Sequence, residues 1–310
     1  MDRERELLPV QYFHIVFTLP SEFNQLAIEH PKDVYGALFK ACSKTLSSFA
    51  ADPKYLGAKS GATMVLHTWG QKIGLHPHLH CIVPSGGISK NGKWKKARKI
   101  HNKYLYPVKA LSKLFRGAYM HALRYQGIEI PQNVAKAVMS KGWVVYAKKP
   151  FNKPEYVIRY LGRYTHKVAI TNFRITGYRD GRVYFSYKDY RNGGLVKHET
   201  SLETIEFIRR FAMHILPSGF MRIRHYGMLA SRNKPVDLKQ AKKYFGLEWR
   251  EKEKIDWVTI TVERLDYIPD QCLHCKEGVL ILIETIHPRR GPPMLYIHDV
   301  KKSKYAHHES

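Results

Sequence analysis

Cysteine is scarce in this chain: four residues in 310. Four thiols cannot make a disulfide framework, so a packed core has to hold the fold, and the cytoplasm is the expected compartment. No run of 18 or more apolar residues occurs, which excludes a helical membrane span. The opening Met1-Asp2-Arg3-Glu4-Arg5-Glu6 lacks the apolar centre of a signal peptide. Acidic residues are also in short supply. Asp plus Glu number 26 against 52 Lys plus Arg, for a net charge of +26. A folded chain this basic points to a polyanionic partner. Bulk charge alone does not choose the partner, since ribosomal and membrane-surface proteins share it. There is no internal repeat and no low-complexity tract.

What is present supports a globular protein. Hydrophobic residues make up 44% of the chain, enough for a core, and the length suits one large domain or two ordinary ones. Twenty tyrosines and five tryptophans offer flat faces on which bases could stack.

The periodicity predicts a mixed architecture. Residues 11–19 are β-branched and aromatic and close on Pro20, which reads as a buried strand. Ser21 is placed to cap a short helix. A longer helix is expected over 32–50, with Val34, Leu38, Ala41, Cys42 and Leu46 on one stripe. Residues 63–69 form a second strand, joined through 71–74 to a third at 75–84. Turn signals follow at Ser85-Gly86-Gly87 and Asn91-Gly92. Helices are expected over 109–126 and 154–167, and a strand over 142–147. Asp180-Gly181 marks a hairpin between 173–178 and 182–187. Ser201 looks like the cap of a helix running to about Leu216, followed by a basic strand at 219–227. Beyond about residue 246 the composition turns polar and irregular.

Two stretches carry chemistry. In Leu75-His-Pro-His-Leu-His-Cys-Ile-Val-Pro84, strand alternation puts His78 and His80 on one face and Leu79 in the core. Two adjacent imidazoles are half of a divalent-metal site. A pair of surface histidines on a half-buried strand explains the same pattern equally well. In Tyr160-Leu-Gly-Arg-Tyr-Thr-His-Lys167, the residues Tyr160, Tyr164 and Lys167 stand at i, i+4 and i+7, one face of a helix. Tyrosines at that spacing often only line a helix–sheet contact. The two stretches together, in so basic a chain, make a nucleic-acid chemistry plausible.

At this point the chain resembles the two-tyrosine, rolling-circle insertion-sequence transposases of the His-hydrophobic-His endonuclease superfamily. The resemblance rests on Tyr12-Phe-His-Ile-Val-Phe-Thr-Leu-Pro20, His76-Pro-His-Leu-His-Cys-Ile-Val-Pro84 and Tyr160-Leu-Gly-Arg-Tyr-Thr-His-Lys-Val-Ala-Ile170. Tyr187-Lys-Asp-Tyr190 and Leu216-Pro-Ser-Gly-Phe-Met-Arg-Ile-Arg-His-Tyr-Gly227 extend it. These blocks occur in order between about residues 7 and 232. One departure stands out. Members usually carry a cysteine-rich zinc-binding region before the first strand, and here no cysteine precedes Cys42. That departure bears on autonomous transposition more than on nicking.

The resemblance implies an α+β fold: a central antiparallel sheet of four to five strands with packed helices, plus a smaller C-terminal α+β extension. It also implies a catalytic domain over 1–170, an accessory region over 171–246 and the extension over 247–310. Its activity would be cleavage and rejoining of single-stranded DNA at element ends and target, through a tyrosine ester. His78 and His80 would hold Mg²⁺ or Mn²⁺, and Tyr160 or Tyr164 would attack. Lys167 would hold the phosphate or stabilise the tyrosinate. Such hard cations want further ligands; Gln71 leads, with His76 and His67 as alternatives. The ribbon Lys93, Lys95, Lys96, Arg98 and Lys99, and the strand residues Arg222 and Arg224, are candidate phosphate contacts; solvated surface charge is the plainer account of both. Cys272-Leu-His-Cys275 is either half of a structural zinc site, with His274, His287 or His298 as further ligands, or two unrelated cysteines. Rival functions are a rolling-circle replication initiator and a DNA-binding protein that has lost catalysis. The order of histidines before tyrosines argues against a conjugative relaxase.

Overall fold

The computed structural model describes residues 6–97, 105–148, 150–151, 156–157, 168–189, 196–249, 257–265, 267–272 and 274–281. The chain divides into two units, 1–250 and 251–310.

The first unit is built on a five-stranded antiparallel sheet. Its strands are β1 (Tyr12–Thr18), β2 (Gly61–Trp69), β3 (Leu75–Pro84), β6 (Val145–Ala147) and β10 (Ile223–Gly227), in the spatial order β10-β2-β3-β1-β6. Side chains alternate across each strand. Phe13, Ile15, Phe17, Ala62, Met64, Leu66, Leu79, Cys81 and Val83 therefore share one face, and all are in the main core. That face is covered by α1 (Asn24–Glu29), α2 (Pro31–Ala51) and α3 (Val108–Tyr125), with α4 (Gln132–Met139) beside them. Helix α2 begins on Pro31, where the fixed φ suits a first helical position. Its expected stripe of Val34, Leu38, Ala41, Cys42 and Leu46 is buried. On α3 the apolar residues Leu111, Phe115, Tyr119 and Leu123 recur every four positions and are fully buried. Aromatic edges knit the core: Phe17 meets Phe115 at 5.0 Å and Phe23 meets Tyr119 at 5.1 Å between ring centroids.

A short hairpin, β4 (Gly86–Ile88) with β5 (Trp94–Lys96), continues from β3. A second sheet joins β7 (Ile175–Arg179), β8 (Arg182–Lys188) and β9 (Lys197–Glu203), and leads into α5 (Thr204–Ala212). Helix α6 (Lys239–Tyr244) packs near the β4–β5 hairpin through Ala241, which shares a cluster with Ile88 and Trp94. In the second unit, α7 (Trp257–Leu265) precedes a bridge between Gln271 and Val279. Among the described residues, no helix is long and apolar enough to cross a membrane.

The α+β architecture and the five-stranded antiparallel sheet match the expectation. Ser201 differs. It lies opposite Tyr184 in the β8–β9 ladder, and the helix starts at Thr204 and ends at Ala212. Seven paired residues from Lys197 to Glu203 outweigh a capping preference of about 1 kcal/mol. Ser21 caps nothing: its hydroxyl turns to Glu22, and a 3₁₀ turn occupies Ser21–Phe23.

The core predicts its own mutational cost. Phe17 is fully buried and Phe173 is 99% exposed. Phe17→Ala should lower unfolding free energy by about 3–5 kcal/mol in urea titrations. Phe173→Ala should change it by no more than about 0.5 kcal/mol. Equal effects would contradict the packing described.

A histidine cluster on the open face of the sheet

Across β2 and β3, His67 lies directly opposite His78 and Val65 opposite His80. Paired residues share a face, so His67, His78 and His80 all stand on the side away from α2 and α3. Each of the three offers a ring nitrogen, and these ligand atoms lie within 4.8 Å of one another. Among the described residues it is the one group of three or more His, Cys, Asp or Glu side chains so placed. His67 and His80 are 3% and 8% exposed, while His78 is reached by solvent.

A β-bulge creates this arrangement. Between His67 and Trp69 the register shifts, so that Trp69 pairs with Leu75 while His67 pairs with His78. The extra residue lies in β3, within His76-Pro77. Proline has no N–H for the ladder and is at home in a bulge. Carrying the Trp69–Leu75 register onward would set His67 opposite Pro77, on the helix side with Leu79.

Several contacts orient the three rings. His78 donates Nδ1–H to the His76 carbonyl at 2.6 Å. Nδ1 of His80 lies 2.8 Å from Nε2 of His14, on β1. His67 stacks on Trp69 at 4.7 Å with a tilt of 16°, and the Arg222 guanidinium lies 5.0 Å from the same indole. The β2–β3 turn is tied down from outside. The guanidinium of Arg174 donates to the Gln71 carbonyl, Arg210 to that of Lys72 at 3.4 Å, and His214 Nε2–H to that of Ile73 at 2.9 Å. Thr68 donates its hydroxyl to Nδ1 of the same His214 at 3.1 Å. Three consecutive carbonyls of the turn are thereby held by side chains from the 171–215 region.

A nitrogen-only set of three imidazoles fits a divalent metal, and three ligands leave positions for a phosphate oxygen or water. Mn²⁺ accepts such a set more readily than Mg²⁺, which prefers oxygen.

The other sequence-predicted residues that the structure describes lie outside this group of three. Gln71, the leading third-ligand candidate, has its Oε1 accepting the Lys188 N–H at 3.3 Å, and His67 occupies the third place in the cluster. His76 is exposed and points its carbonyl to His78. Tyr160, Tyr164 and Lys167 lie outside the described residues, as do Arg98 and Lys99. Lys93, Lys95 and Lys96 are exposed on the β4–β5 hairpin. From His80 to that hairpin is six residues, about 20 Å of strand. Trp94 is buried against Phe245 and is not a stacking platform. The two arginines part company. Arg222 is half-buried, donates Nε–H to the Leu66 carbonyl at 3.1 Å and sits by Trp69. Arg224 pairs with Met64 and lies over Phe39 at 4.4 Å, on the helix side. Cys272 and Cys275 sit in a tight hairpin, where the Gly278 N–H donates to the Cys275 sulfur at 3.3 Å. That N–H and its neighbours lower the Cys275 thiol below its ordinary value. His287 and His298 lie outside the described residues.

Residues 61–235 match the Y2_Tnp family, described as "Putative transposase". "Putative transposase y4qJ" of Sinorhizobium fredii (strain NBRC 101917 / NGR234) is 40% identical over 94% of this chain and 78% of its own length. The chain belongs to this transposase family. The transposase for insertion sequence element IS801 of Pseudomonas savastanoi pv. phaseolicola is a more distant match, 26% identical over 71% of this chain and 54% of its own length. Among solved structures, conjugative relaxase TrwC in complex with oriT DNA, in its metal-free form, aligns at a TM-score of 0.32 with 12% identity, over 76% of this chain and 74% of its own. That likeness is too distant to carry residue roles across to this transposase.

Sequence reasoning underrated His67 and missed His14 and Trp69. The signal was the spacing His67-Thr-Trp69 ahead of a short turn. The bulge that decides the face of His67 has no reliable mark in sequence beyond Pro77.

Burial sets the pH response of this region. His14 is pushed down to about 3 by desolvation, with Lys148 and His78 adding repulsion, and desolvation also lowers His214. Both rings are neutral in the folded protein and titrate near pH 6.5 when unfolded. The contribution of each is therefore complete above about pH 6.5 and is lost as pH falls below it, for His14 toward about 3. The Tm of the metal-free protein should fall steadily below pH 6.5. A Tm constant from pH 7 to 4 would count against these buried neutral imidazoles.

Proposed function

We propose that this transposase nicks and rejoins single-stranded DNA through a 5′-phosphotyrosine, with His67, His78 and His80 as the metal ligands and Tyr160 or Tyr164 as nucleophile. The observation that carries the reading is where the tyrosine segment is moored. Val157, before it, is 1% exposed and packs with Tyr12 and Ile82, on the histidine face. Ala169 and Ile170, after it, are buried with Ile73 and Phe185, beside Trp69. A segment anchored at both ends around the cluster supports tyrosines within reach of a phosphate held there.

A divalent ion bound by the three imidazoles would polarise the scissile phosphate and neutralise developing charge. The protein supplies the rest. A phenol of pKa about 10 is a poor nucleophile at neutral pH, and the ammonium of Lys167 would favour its ionised form. Attack forms a P–O bond to the tyrosine and breaks the P–O3′ bond. The phenolic proton is lost and the departing 3′ oxygen gains one. The ester keeps the bond energy, so a free 3′-OH can reverse the step on another strand without ATP. A second tyrosine four positions along the chain would accept a second strand. Half-buried Arg222, next to Trp69, lies where a phosphate approaching the cluster would meet a cation. The Lys93, Lys95 and Lys96 ribbon, about 20 Å along the sheet, suits flanking DNA rather than the scissile phosphate.

Labelled single-stranded DNA with Mn²⁺ should yield a covalent protein adduct that disappears in the Tyr160→Phe, Tyr164→Phe double variant. An adduct that survives the double change rejects the nucleophile assignment. His67→Ala should cut nicking by at least about tenfold while DNA binding persists; nicking at the parental rate removes His67 from the ligand set.

The ribbon has a separate test. Replacing Lys93, Lys95 and Lys96 by Gln should flatten the salt dependence of single-strand binding by about 2 in log K against log salt, near 0.7 per lost contact. An unchanged slope would assign those lysines to solvent.

A further inference from the structure

We propose that His14 is a positioning residue: it accepts a hydrogen bond from Nδ1–H of His80 and so fixes the tautomer in which His80 can bind metal. The inference rests on the metal reading of the cluster and adds to it a residue from a third strand.

The geometry is specific. His14 stands on β1, opposite Ile82, on the same face as His80 two residues further along β3. Its Nε2 is 2.8 Å from His80 Nδ1, and the two rings are 5.0 Å apart at 18°. Only one proton can occupy that line. If His14 donates it, neutral His80 carries its own proton on Nε2 and has no lone pair there for a metal. If His80 donates it, Nε2 of His80 is a ligand and His14 holds its proton on Nδ1. His78 shows the same logic without ambiguity, because the His76 carbonyl can only accept, and that places the His78 proton on Nδ1. Metal-bound histidines generally donate their second N–H to such an acceptor, which also raises ligand basicity. His14 would serve His80 as the carbonyl serves His78.

Burial sharpens the demand. His14 is 1% exposed, so solvent has little access to replace the acceptor if it is removed. An apolar residue there would leave the Nδ1–H of His80 without that partner, and a buried unpaired donor is costly.

The test compares two variants in the full chain. His14→Gln can still present an oxygen to His80, whereas His14→Leu cannot. Mn²⁺ affinity is measured by titration of the free-ion paramagnetic resonance signal, alongside Tm without metal. The expected result is a 10- to 100-fold weaker Kd in His14→Leu and a Kd within about threefold of the parent in His14→Gln. A folded His14→Leu with parental affinity overturns the inference, as does equal loss in both folded variants, which would mean that shape and not the acceptor matters. A parent chain that binds no Mn²⁺ overturns the metal reading and this inference with it. Imidazole ¹⁵N spectra of the unaltered protein loaded with Zn²⁺ decide the point should His14→Leu fail to fold. A proton on Nδ1 of His80 supports the assignment, and a proton on Nε2 refutes it.

Discussion

Moving β3 by one residue against β2 would carry His67 to the helix side of the sheet and dissolve the cluster. Strand side chains alternate with a period of two, so the register of this one pair decides which side His67 occupies. The bulge at His76-Pro77 sets that register. Everything proposed for this transposase depends on it, because the nitrogen of His67 is brought to its two partners by strand pairing and not by proximity in sequence.

The rest of the molecule protects that pairing. On one side, Leu79, Cys81, Leu66 and Met64 are pressed into the core beneath α2 and α3. Slippage would drive those apolar residues into the open face, at roughly 1.5–3 kcal/mol for each large side chain exposed. At the end of the hairpin, Arg174, Arg210 and His214 hold the carbonyls of Gln71, Lys72 and Ile73. The region after residue 171 thus acts on the cluster through the turn. It fixes the turn, and it sends β10 back to pair with β2 at the sheet edge.

The open face is where chemistry can be held. It is polar where the histidines stand, with His14 and His80 in hydrogen-bond contact, and apolar at its margins, where Val157, Tyr12 and Ile82 form one cluster and Ile73, Phe185 and Ile170 another. A rigid sheet with side chains locked by stacking and hydrogen bonds suits a site that must keep its geometry while a long, charged polymer passes over it. The exposed lysines of the β4–β5 hairpin lie further along.

Much of this was legible in the residues alone. The β-branched run 11–19, the helical stripes of α2 and α3 and the His-Leu-His alternation each follow from local periodicity, and local periodicity survives folding when a strong core faces it. The two strand histidines needed only the alternation rule. Sequence distance and ligand type favour Gln71 over His67, while strand pairing, a long-range property, favours His67. Arg222 and Arg224 looked equivalent two positions apart; but Arg222 precedes β10 and escapes its alternation, so only the fold separated them. Ser201 had a local preference for a cap that seven ladder pairs overrode. Composition and pattern therefore determined the family, the core and two of the cluster's three histidines. The third histidine, the contact of His14 with His80 and the division of the basic residues were decided by tertiary structure, because register and bulges are set by contacts between segments that no local rule can see.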